Sequence, residues 1–233
     1  EEIKNYPFPD FNEEYRWSGF GEKVNRLKKE DLIAVAFMQM TLFEVAWYLR
    51  GMDNLLVDMM VNPEFALTLL DEITGIDILM LGDDVSSQQD MMMDPDLWRE
   101  MLKPRMAEVI KAAKSVNPDI LLFYHGDGNL QKIIPDLIEI GVDILNPVQP
   151  ECMDPLLIKK LYGDRLTLWG TLGTQTTLPF GTPEEVKEKC RELIRTAGRG
   201  GGLLLAPTHT IEPEVPWENI RAFLEAVKEY GAY

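Results

Sequence analysis

With 233 residues, 45% of them hydrophobic, the chain can bury one sizeable core, and a single domain over residues 1–233 is the expectation. Its 39 acidic against 23 basic residues leave a formal net charge of −16, and no lysine or arginine run makes a phosphate-binding stripe, which argues against nucleic acid as a partner. Two cysteines, Cys152 and Cys190, form neither a disulfide framework nor a zinc knuckle, and no apolar run approaches the ~20 residues that cross a bilayer. A soluble protein of a reducing cytoplasm, without a membrane partner, is expected.

In chain order, residues 1–30 read as irregular, and then six apolar runs follow: "DLIAVAFMQM" (31–40), "IDILMLGDD" (76–84), "DILLFYHGD" (119–127), "VDILNPVQP" (142–150), "RLTLWGTLG" (165–173) and "GGLLLAPTH" (201–209). Each is apolar on both parities, as strands covered on both faces are. Helical patterns lie between them at 62–73, 94–116, about 130–140, 154–162, 182–197 and 216–230. Asn62, Asp94 and Thr182 each stand before a proline at the first helical position, and Glu185 completes a capping box with Thr182.

Regular alternation of strand and helix predicts a right-handed parallel α/β architecture. Nearly every strand delivers polar residues at its C-terminal end: Gln39, Asp83 and Asp84, His125 and Asp127, Asn146 and Gln149, Thr171 and Gln175, and His209. In a TIM (β/α)8-type barrel those ends share one face, and that face carries the chemistry. Six βα units are recognisable where a closed barrel has eight, and a helix meets a strand across Thr74 and Gly75 alone, so an incomplete or shortened barrel is part of the expectation.

In "FYHGDGNL" the side chains of His125 and Asp127, at i and i+2, leave an extended chain on one side and reach a common point. The pair suits a metal or a general acid/base; a loop-bonded histidine with Asp127 as helix cap explains it equally well. The only other histidine, His209, ends the last run and so faces the same mouth. Two nitrogens and a carboxylate from His125, Asp127 and His209 make a three-ligand zinc site with an open fourth position.

Asp83 and Asp84 point to opposite sides of an extended chain, so one of them faces the mouth; loop capping accounts for both as well. Gln39, Asp83, Gln88, Asn146, Gln149, Thr171 and Gln175 offer hydrogen-bonding groups for a substrate around the rim. Cys152 reads as a surface thiol and Cys190 as core.

The segments "GDDVSSQQDMMMDPDLWREMLKPRM", "YHGDGNLQKIIPDLIEIGVDILNPVQPECMDP", "YGDRLTLWGTLGTQTTLPFGTPEEV" and "LLLAPTHTIEPEVPWENI" resemble the uroporphyrinogen decarboxylase superfamily over roughly residues 43 to 230. The resemblance implies a TIM barrel. It also implies one of two activities: cofactor-independent decarboxylation of a tetrapyrrole, or zinc-dependent methyl transfer between a corrinoid carrier and an acceptor such as a thiol.

The zinc methyltransferases of the superfamily carry His-x-Cys after the corresponding strand and a further cysteine on the last one. Here His125-Gly126-Asp127 and His209 stand at those places, a harder N/O set that donates less to the metal than thiolates do. Metal-assisted methyl transfer from a corrinoid-linked substrate is the leading expectation. Under the decarboxylase alternative Asp84 or His209 handles protons, and the arginine-rich entry segment of that branch has no counterpart here. A reading of another class is a shortened, non-catalytic barrel that completes its sheet by association into a homo-oligomer.

Overall fold

The structure, a computed structural model, describes residues 18–33, 35–37 and 77–231. Gln39, the helix expected over 62–73 and the join at Thr74 and Gly75 lie outside the described residues. Six strands make one sheet: β1 (Val35–Phe37), β2 (Ile78–Gly82), β3 (Leu121–His125), β4 (Ile144–Asn146), β5 (Thr167–Leu172) and β6 (Leu203–Pro207). Their spatial order is the chain order, and every pairing is parallel. From β2 onward each connection runs through a helix and moves one strand along in a single direction, the winding of a (β/α)8-type barrel rather than of a doubly wound sheet that reverses at a switch point.

Parity explains why the strands read as apolar throughout. On one face Ile78, Phe123 and Ile144 form a cluster with Met80 and Trp169, and the Phe123 and Trp169 rings meet edge to face with centroids 5.1 Å apart. On the other face Leu79, Leu81, Leu122, Tyr124, Leu145 and Leu168 join the main core beneath the helices. His125 and Asn146 continue the parity of Phe123 and Ile144, so the inner face delivers them to the mouth.

The helices are α1 (Phe20–Lys29), α2 (Pro95–Met101), α3 (Lys103–Val116), α4 (Ile134–Glu139), α5 (Pro155–Tyr162), α6 (Thr177–Phe180), α7 (Pro183–Thr196) and α8 (Trp217–Tyr230). Asp94 and Asp154 accept from Asp96 N and Leu156 N at the starts of α2 and α5, and Thr182 with Glu185 closes the capping box of α7. Among the described residues no helix is long and apolar enough to cross a membrane.

Two expectations are corrected. Residues 1–30 are not irregular throughout: α1 forms and packs Val24 and Leu27 on the main core, two apolar positions at i and i+3 in a charged segment. The single helix expected over 94–116 is two, divided at Leu102, because Pro104 has no N–H to continue the ladder and begins a new helix instead.

Asp136 ties α4 to α2 and α3. It is 8% exposed, receives Arg99 Nε at 3.0 Å and Lys103 Nζ at 2.7 Å, and Lys103 also reaches Glu139 at 2.8 Å. Burial pushes the Asp136 carboxyl up, but the hydrogen bonds from Arg99 and Lys103 outweigh it and hold the group below its ordinary value. A depressed folded value means that the stabilisation is complete above the unfolded carboxylate range near ~3.9 and is lost as pH falls through the folded value. Asp136→Asn is expected to cost about 2 kcal/mol at pH 7 in urea unfolding, a difference that shrinks when the two proteins are compared near pH 3.

The two cysteines separate cleanly. Cys190 is fully buried beneath α7, and burial pushes its thiol up to about 12, whereas Cys152 is part-exposed beside the mouth. Burial, Glu151 and Asp127 raise the Cys152 thiol as well. Native protein is therefore expected to show one slowly reacting thiol in a disulfide-exchange assay, and the second only on unfolding.

Candidate active site

Strand register builds the centre of the site. Gly82 of β2 pairs with His125 of β3, so two residues further on Asp84 stands level with Asp127. A Cβ at Gly82 would lie 2.9 Å from His125 Cβ, and the missing side chain is what lets the imidazole sit against β2. Asp83 is 1% exposed, while Asp84 takes the mouth side, where its Oδ1 accepts Asp127 N at 2.7 Å and lies 3.9 Å from His125 Nε2.

Asp84, His125 and Asp127 each offer one ligand atom, all within 4.8 Å of one another. This grouping differs from the expected ligand set: Asp84, on the neighbouring strand, joins His125 and Asp127. His209 approaches from the far side, 48% exposed, with Nε2 3.8 Å from Asp127 Oδ2. The difference follows from connectivity, since β2 pairs directly with β3 whereas His209 lies beyond the end of β6, three strands away.

Asp127 is the most constrained member. Its Oδ1 is buried and has no hydrogen-bond partner among the described residues. Burial pushes its carboxyl up, and the charge of Asp84 adds to that, against the opposing pull of His125 and His209. A buried carboxylate oxygen without a donor is costly unless something positive meets it, and two carboxylates with an imidazole are the donor set of a zinc-type cation. The residues present therefore fit a divalent metal.

Loop contacts hold this geometry. Ser86 Oγ donates to Asp127 O at 2.6 Å, and Gly128 N donates to Gln149 Oε1 at 2.7 Å. Gln149 is 4% exposed, so it serves first as a clamp on the loop after β3. Asn146 has its amide engaged at both ends, by His125 Nδ1 at 2.7 Å and Trp169 O at 3.2 Å. Thr171 is wholly buried at φ +77°, a conformation that a β-branched residue rarely adopts, and its Oγ1 has no hydrogen-bond partner among the described residues. Gln88 and Gln175 hydrogen-bond each other at the exposed rim.

Two contributors escaped the sequence reading. Ser86 is a small polar residue in a loop and carries no pattern. Glu151 accepts Thr176 Oγ1 at 2.7 Å with Oε1 while its Oε2 is buried without a partner among the described residues, and the only hint was an acid next to Cys152 on the rim.

A parallel sheet of the barrel type, with imidazole and carboxylates gathered beyond its strand C-termini, places the molecule among the α/β proteins that carry their chemistry on that face. The chain belongs to the uroporphyrinogen decarboxylase (URO-D) family, whose family model matches residues 1–230. Among curated proteins it is 30% identical over 205 residues to the methylcobamide:CoM methyltransferase MtaA of Methanosarcina barkeri, covering 87% of this chain and 55% of that protein. It is 24% identical over 185 residues to a uroporphyrinogen decarboxylase of Coxiella burnetii, covering 73% and 49%. The chain thus spans about half the length of these relatives. A solved methyltransferase from Methanosarcina mazei superposes with a TM-score of 0.66 at 24% identity over 91% of this chain and 64% of that one, a likeness of fold alone.

Proposed function

We propose that the chain carries the site of a methyl-transfer enzyme that takes a methyl group from a corrinoid-linked donor. Asp84, His125 and Asp127 would hold a zinc ion, with His209 beside it. The observation that carries this reading is the cluster of those three residues around the orphaned Asp127 Oδ1. Similarity to a methylcobamide:CoM methyltransferase supports the donor class.

Zinc, when bound, supplies a Lewis acid that favours the ionised form of a thiol acceptor. The chain's own groups do the rest. Asp84 and Asp127 would bring the negative charge that retains the cation, and His125 would offer it an imidazole nitrogen. His209, exposed and in reach of Asp127, is placed to exchange a proton with an entering acceptor. The exposed amides of Gln88 and Gln175 would orient the substrate at the rim, while Thr171, wholly buried, would shape the wall beneath it. With Asp83 buried, Asn146 engaged at both ends and Gln149 clamping a loop, these three act as support rather than as primary contacts.

Metal analysis of gently purified protein, followed by zinc titration, tests the reading. One equivalent bound or rebound is expected; no zinc and no rebinding would remove it. The second reading, decarboxylation of uroporphyrinogen, draws on the His209 and Asp127 pair as a proton relay and on similarity to proteins of that name. Incubation with uroporphyrinogen that yields no less-carboxylated product would dispose of it.

A further inference from the structure

We propose that Asn146 is a positioning residue that holds the neutral His125 imidazole in its Nδ1–H form, leaving Nε2 bare toward Asp84. The cause lies in the backbone. Thr167 N donates to Asp143 O across β4 and β5, and the parallel ladder pairs Ile144 with Thr167 and Leu145 with Leu168. Continued in the same register, the next rung would run from the N–H of residue 147 to Trp169 O. Residue 147 is proline and has no N–H, so Trp169 O would be left without that donor. The side chain of Asn146 takes its place, with Nδ2 donating to Trp169 O at 3.2 Å.

That substitution orients the amide. A carbonyl oxygen only accepts, so the group facing Trp169 O is the NH2 and the group facing His125 is the amide oxygen. Asn146 Oδ1 lies 2.7 Å from His125 Nδ1. An amide oxygen also only accepts, and the contact is a hydrogen bond only if Nδ1 carries the proton. A neutral imidazole with Nδ1–H has its lone pair on Nε2, the nitrogen 3.9 Å from Asp84 Oδ1. Free neutral histidine favours the opposite tautomer, so the protein imposes this one. The benefit to metal capture rests on the proposed function, but the tautomer does not.

Long-range proton–nitrogen correlation spectra of nitrogen-15-labelled, metal-free protein decide it, recorded at a pH where imidazoles are neutral. In the unmodified chain one of the two histidines should show the Nδ1–H pattern. Asn146→Asp keeps an acceptor against Nδ1 and should keep the pattern; Asn146→Leu removes it, and His125 should revert to Nε2–H. An Nε2–H pattern for both histidines of the unmodified chain would overturn the proposal, as would an unchanged spectrum in Asn146→Leu. Should Asn146→Leu fail to fold, the unmodified chain and Asn146→Asp still decide.

Zinc titration separates this inference from the function. Asn146→Leu should weaken zinc binding by about 10- to 100-fold, as loss of an outer partner to a ligating histidine does, with Asn146→Asp restoring most of it. A protein that shows the Nδ1–H pattern and takes up no zinc would refute the metal and leave the tautomer standing.

Discussion

If Asp127 holds zinc as proposed, replacing it with asparagine is expected to lower zinc affinity by more than about 100-fold, beyond the loss seen for outer partners of a ligand, because the change would remove a direct ligand and its charge. The same change should leave folding stability unchanged or raise it by about 1 kcal/mol. Asp127 carries a buried carboxylate oxygen with no donor among the described residues, and burial already pushes its carboxyl up, so the ionised group is held at a cost in the metal-free protein. Asparagine has nearly the same shape and no charge to desolvate. Isothermal titration with zinc and urea unfolding, measured on one preparation, give the two numbers. A purely structural Asp127 predicts the reverse, with stability lost and zinc binding unaltered.

Gly128→Ala is expected to destabilise by about 2–4 kcal/mol and to weaken zinc binding along with it. Gly128 has φ +89°, and a Cβ there would lie 2.7 Å from the Ser87 carbonyl carbon and 2.8 Å from Ser86 Oγ. Those atoms cannot retreat cheaply: Ser86 Oγ holds Asp127 O, Ser87 O accepts Asn129 N, and Gly128 N is bound to Gln149. Gly201 supplies the control, with φ +88° and nothing within 4 Å of a Cβ. Gly201→Ala measures the backbone conformation alone and should cost about 1 kcal/mol in urea unfolding. Equal costs at the two positions would mean that the loop after β3 yields to the methyl group, and the geometry around Asp127 would then not be rigidly held.

The parallel α/β architecture was legible because the strands are apolar on both parities, and β2 to β5, which bury residues of both parities, leave no other pattern open to a strand. The starts of α2, α5 and α7 were legible for an equally local reason, a capping side chain followed by proline. Helix α1 was not, since Val24 and Leu27 become apolar contacts only when a core exists to receive them. The site divides along the same line. His125 and Asp127 lie two residues apart on one chain segment, and their shared reach follows from strand geometry.

The sequence by itself determined which residue types stand at the strand ends, where proline interrupts the β4–β5 ladder, and that an imidazole and a carboxylate emerge together after β3. Only the tertiary structure decided that Asp84, rather than His209, completes the group around them, because that choice depends on β2 lying beside β3 with Gly82 opposite His125. It likewise decided that Asn146 meets the imidazole of His125 and the carbonyl of Trp169. Spacing along a chain sets what neighbouring side chains can share, whereas contacts between distant segments are set by strand order and register, which depend on the packing of the whole sheet.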